Sequence, residues 1–123
     1  FTEITKRTIA ENMYALLHNY LMCEDVDTVV FTYSWHGGRK EIYDNIIARL
    51  WKEEIDFEEL IVVLKCSKEE NVLRAISDNR DNERIERGME NTFNFYDKYI
   101  YPCIDTTDMR PDEVAEKIME LVF

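Results

Sequence analysis

Glycine and proline are scarce, with three and two copies among 123 residues. Collagen-like, low-complexity and linker-rich chains are thereby excluded, and no Ser/Pro/Gly-rich stretch marks a domain boundary. No apolar run approaches the ~18 residues of a membrane-spanning helix. No charged-then-apolar leader reads as a secretory signal either. Cysteine is equally sparse. Cys23, Cys66 and Cys103 are odd in number, widely spaced and without a CxxC pair. They read as reduced, buried thiols, which points to the cytoplasm and away from a disulfide framework. The two histidines, His18 and His36, share no motif with a cysteine, so no zinc site is expected. Positive charge is the last shortage: 15 basic residues against 26 acidic ones leave a net charge of -11. Such a surface repels phosphate backbones, so nucleic acid is not an expected partner.

What is present suits one globular domain. The chain is 46% hydrophobic and 33% charged, long enough for a core of its own. Ile9, Met13, Leu16, Leu17, Tyr20 and Leu21 recur at helical spacing between about Thr5 and Leu21. Asp27 to Tyr33 is β-branched and aromatic, as a buried strand requires. After the break at His36-Gly37-Gly38, Ile42, Ile46, Ile47, Leu50 and Trp51 predict an amphipathic helix from Arg39 to about Glu53. Leu60 to Cys66 is a nearly continuous apolar run, the signature of a parallel strand covered on both faces. Ser67 and Glu70 then form a capping box for a helix carrying Val72, Leu73 and Ile76. A further helix is expected through Ile85, Met89, Phe93 and Tyr96, and a short strand over Tyr99–Ile104, limited to an edge by Pro102. Pro111 suits the first position of a closing helix. This alternation predicts an α/β three-layer sandwich, a parallel sheet flanked by helices. Its ligand site would lie beyond the carboxyl ends of the strands, after Tyr33, Cys66 and Ile104.

Three stretches there carry possible chemistry. Arg80, Arg84 and Arg87 are three of only eight arginines, and Arg84 and Arg87 share a helical face. Guanidinium groups clamp phosphate bidentately; the plain alternative is a solvated helix laced by pairs such as Glu83–Arg87. Between Asp105 and Pro111, Thr107 or Asp108 is most simply a helix cap, and otherwise part of a base-binding loop. Ser34 to Lys40 offers free amides and two cations, but a simple turn is the plainer reading. His36 there is a general-base candidate or a solvated loop histidine.

Taken in order, three segments resemble the carboxyl-terminal two-thirds of a small P-loop kinase of the shikimate, gluconate and nucleoside/nucleotide kinase group. They are Thr28–Ser34 with Arg39–Leu50, Leu60–Ile76 running into Arg80, Arg84 and Arg87, and Tyr96–Val114 with Tyr101-Pro102 and Ile104-Asp105-Thr106-Thr107. The resemblance implies an ATP-dependent phosphotransferase acting on a small molecule, with a lid over about 78–95 and an adenine loop over about 105–111. It casts Arg80 as the arginine packing on adenine, and Arg84 or Arg87 as the catalytic lid arginine reaching the transferring phosphate. Thr106, Thr107, Asp108, Arg110 and Pro111 become the base loop, and Arg39 a substrate contact. The phosphate-cradling GxxxxGK[ST] loop of that family is absent from the chain. ATP and Mg2+ would therefore be held mainly by residues outside it, and the chain alone would be inactive. Because the chain opens on Phe1 rather than Met, an upstream phosphate-binding segment is expected to complete the domain. The alternative is a nucleotide-binding regulatory or interaction protein of the same fold without catalysis. The small-molecule acceptor and the oligomeric state are not specified by the sequence.

Overall fold

The computed structural model describes residues 2–123, including every side chain except those of Asn91 and Thr92. The chain divides between Glu58 and Glu59 into two compact units.

The first unit is a pair of helices. Helix α1 spans Glu3–Leu21 and starts where the Thr2 hydroxyl accepts the Thr5 amide at 3.1 Å. Helix α2 spans Arg39–Lys52 and follows Gly37 and Gly38, whose φ angles of 65° and 82° cost glycine little. The apolar recurrences seen in the sequence meet here: Tyr14 and Leu17 of α1 pack on Ile46 and Leu50 of α2. Leu50 is completely enclosed. At the rim, the Arg49 guanidinium lies 3.5 Å from the centre of the Tyr14 ring and pairs with Glu11 at 2.9 Å and Glu53 at 3.6 Å. The Tyr14 hydroxyl donates to Glu53. That hydrogen bond is the leading cause of a Glu53 pKa below, and a Tyr14 pKa above, the ordinary values.

The second unit holds the sheet. Strand β1 (Val63–Lys65) pairs in parallel with β2 (Cys103–Asp105), in the register Val63–Cys103, Leu64–Ile104 and Lys65–Asp105. The crossover between them comprises helix α3 (Lys68–Ser77), helix α4 (Asn82–Thr92) and a 3-10 turn over Phe95–Lys98. Helix α5 (Pro111–Val122) follows β2, with Pro111 in its first turn as the sequence predicts. Asn79 takes a left-handed φ of 58° at the end of α3. Its amide bonds the Ile76 carbonyl at 2.9 Å and the Arg80 amide bonds that of Ala75 at 3.1 Å. This paired closure stops the helix and turns the chain toward α4.

The three-layer sandwich expected from the alternation is not what forms. The chain is 57% helical, and its two short parallel strands make only a small sheet. Residues 28–35 join no sheet; instead the Phe31 and Tyr33 rings stack on each other at 5.5 Å and on Tyr43 of α2 at 6.3 Å each. Within Leu60–Cys66 only Val63–Lys65 is ladder-paired, and the Tyr99–Ile104 strand becomes Cys103–Asp105. The physical reason is that β-branched and apolar runs encode burial, whereas a strand also needs a neighbour for its backbone groups. Pro102 lacks an amide but contributes its carbonyl, which accepts the Val63 amide at 2.8 Å. The cysteines also depart from expectation: Cys23 and Cys103 are exposed and Cys66 is half-buried, because Cys103 sits on the open face of a three-residue strand.

Replacing Leu50 with Ala should destabilise the first unit by about 2–5 kcal/mol, the cost of emptying an enclosed site. Both tryptophans, Trp35 and Trp51, lie in that unit. Urea unfolding followed by tryptophan fluorescence reads the effect directly.

Candidate functional site

The parallel register brings the carboxyl ends of β1 and β2 side by side, so Cys66-Ser67 and Thr106-Thr107 emerge together. Hydrogen bonds join the two strand ends. The Thr106 amide donates to the Lys65 carbonyl at 2.7 Å, and the Ser67 amide donates to Thr107 Oγ1 at 2.8 Å. Ser67 also caps α3, accepting the Glu70 amide at 3.2 Å. Only this half of the expected capping box forms, because the Glu70 carboxylate turns to Arg74 at 3.0 Å.

Thr106 is the one buried polar residue among those described. Every polar group it has is engaged. Its hydroxyl donates to the Lys65 carbonyl at 3.0 Å and accepts from Arg74 Nη1 at 3.0 Å. Its carbonyl accepts Arg74 Nη2 at 2.7 Å and the Met109 amide at 3.1 Å. The second of these closes a turn over Thr106–Met109. Thr107 donates its hydroxyl at 2.6 Å and its amide at 3.0 Å to Asp105 Oδ1. Those two donors hold the Asp105 carboxyl below its ordinary pKa. Thr107 therefore caps neither end of α5; the Arg110 amide is satisfied by Glu113 at 3.2 Å instead.

The remaining members of the loop face solvent. Asp108, Arg110 and Pro111 are exposed, and Arg110 pairs with Asp112 at 3.2 Å and Glu113 at 3.4 Å. On the other side of α3, α4 starts at its cap Asp81, whose carboxylate accepts the Arg84 amide at 2.7 Å. Among its described side chains Ile85 and Met89 are half-buried, and Met89 Sδ lies 3.4 Å from the Asn71 side-chain amide of α3. Arg84 and Arg87 are exposed, and among the described residues neither makes an ion pair. The Glu83–Arg87 pair of the plainer reading does not form. Arg80 lies in the turn before α4, its guanidinium 3.7 Å from Asp78.

Arg39 belongs to the first unit. Its guanidinium lies 3.5 Å from the His36 carbonyl. Burial, and then the Arg39 charge, lower the His36 pKa. The second unit also has an open hollow of about 220 Å³, lined by Leu60, Ile61, Val62, Pro102, Leu121 and Val122 among others. It sits at the amino ends of the strands, away from the loop cluster. Among the described residues no three His, Cys, Asp or Glu side chains gather as a metal site. None of the described helices is long and apolar enough to cross a membrane.

Arg74 is the residue that sequence reading passes over, because at i+4 from Glu70 it looks like an ordinary surface ion pair. Its distinguishing mark is tertiary: two of its nitrogens reach Thr106, 32 positions away. Only the fold brings them together.

The Asp105–Thr107 contact has a measurable signature. A carboxyl whose pKa is depressed by folding adds stability above its unfolded pKa of about 4, and that stability is lost as pH falls through the folded value. Carboxyl-carbon NMR titration should place Asp105 below the usual range, and Thr107→Val should move it upward. An unmoved midpoint would dismiss the contact. Comparisons with protein-family models, with curated proteins and with solved structures find no match to this chain.

Proposed function

We propose that this chain carries the base-binding loop and the arginine-bearing helix of an ATP-dependent phosphotransferase acting on a small molecule. The observation that carries the reading is the paired carboxyl ends of β1 and β2, tied through Ser67 and Thr107. Parallel strands place ligands just beyond such ends, where loop backbone and helix amino termini converge. Asp108, Arg110 and Pro111 are the exposed residues of the loop and would line the base. Arg84 and Arg87 supply exposed guanidinium groups on α4, in a chain whose net charge is otherwise -11. Cations kept in such a setting serve a local anion rather than a general one. ATP is the ligand whose two ends call for both parts, a flat base and a run of phosphates. Arg80, at the entry to α4, would stack on the base.

Chemically, the arginines would stabilise charge on the transferring phosphoryl group, which is most of what phosphoryl transfer asks of a protein. Guanidinium suits this because it stays ionised and presents a planar fork of donors.

Calorimetric titration with ATP, ADP and adenosine tests the proposal. Affinity should rise with the number of phosphates. Arg84→Ala should weaken ATP binding by about 1.5–3 kcal/mol, the scale of a hydrogen bond to a charged group. Adenosine binding should change much less. With the full-length protein, absence of binding heat and of thermal stabilisation at millimolar ATP would sink the assignment, because a ligand of the folded state alone raises apparent stability.

A further inference from the structure

We propose that Arg74 is a positioning residue, which sets the conformation of the Thr106–Arg110 loop and thereby its distance from the arginines of α4; the functional half of this inference rests on the nucleotide reading above. The geometry is specific. Nη1 and Nη2 of Arg74 hold the Thr106 hydroxyl at 3.0 Å and the Thr106 carbonyl at 2.7 Å, while Nε holds Glu70 at 3.0 Å. A planar fork with three separately directed donors does this; the single ammonium point of lysine does not. The carbonyl it grips is the one that closes the Thr106–Met109 turn by accepting the Met109 amide at 3.1 Å. Arg74 therefore fixes the first residue of the turn that presents Thr107 and Asp108. Thr106 is buried, so a donor lost there is not simply replaced by water.

The same helix faces the other part of the site. One turn before Arg74 in α3, the Asn71 side-chain amide lies 3.4 Å from Met89 Sδ of α4, two residues beyond Arg87. Helix α3 is thus the shared wall between the loop assigned to the base and the helix assigned to the phosphates. Arg74 is the point at which that wall grips the loop. An ordinary surface pair with Glu70 alone would leave loop and helix free to separate.

The test uses Arg74→Lys, which keeps the charge and loses the fork, with Thr106→Ser and Thr106→Val as partners. In nucleotide-free protein, amide hydrogen exchange at Thr106, Thr107, Met109 and Arg110 should quicken tenfold or more in Arg74→Lys. Thr106→Ser, which retains the hydroxyl, should exchange like the parent, and Thr106→Val should not. Calorimetry well below the melting temperature should then show ATP and adenosine losing the same factor, about tenfold, in Arg74→Lys, unlike the phosphate-selective loss in Arg84→Ala. Unchanged exchange in Arg74→Lys overturns the proposal. So does faster exchange with both affinities untouched, which would make Arg74 a stabilising residue only. If the parent protein binds neither ATP nor adenosine, the nucleotide reading fails on its own, and the exchange measurements alone decide whether Arg74 sets the loop.

Discussion

The second unit depends on what happens at one backbone carbonyl, that of Lys65. It accepts both the amide and the hydroxyl of Thr106, just where the three-residue ladder of β1 and β2 runs out. A ladder this short has few bonds of its own and would fray at its ends. Thr106 extends it by one residue through both its amide and its hydroxyl, and Arg74 of α3 holds Thr106 in place. Burial strengthens these bonds, since a polar group removed from water must find its partner inside the protein. Loop position, strand register and the start of α3 are therefore one arrangement. Ser67 and Thr107 close it from the other side.

The first unit is held differently. Its α1–α2 core of Tyr14, Leu17, Ile46 and Leu50 is apolar packing of the ordinary amphipathic kind. A directional element is added by the Arg49 group, stacked on Tyr14 and pointed at Glu11 and Glu53. Phe31, Tyr33 and Tyr43 form a separate stack that substitutes ring contacts for a strand ladder. Aromatic stacking tolerates irregular backbone, which a ladder does not.

Charge distribution links the two scales of description. Most of the cations are spent locally: Lys40 on Asp44, Lys65 on Asp97, Arg74 on Glu70 and Arg110 on Asp112. Arg84 and Arg87, like several other basic residues, have no ion pair among the described residues; they project from a helix whose half-buried side is turned to α3. Both guanidinium groups are exposed on α4, among acidic neighbours that include Glu83, Glu86 and Glu90.

Periodicity determined the amphipathic helices α1 and α2, and capping chemistry the Ser67 start of α3 and the Pro111 start of α5, because each rests on neighbours within one or two turns. It also located the segments that flank the loop cluster, since the β-branched runs end where turn residues begin. The sheet was beyond it. Thr28 to Tyr33 has the composition of a strand, but composition cannot supply the hydrogen-bonding neighbour that makes one. Thr107 looks like a cap, and becomes a bridge between Asp105 and Ser67 only because the parallel register sets those residues side by side. Arg74 looks like half of an i,i+4 pair, and only the crossover of the chain carries it to Thr106. Short-range interactions are written in adjacent residues; the contacts that build the candidate site join positions 32 to 41 apart, and those exist only once the fold has closed.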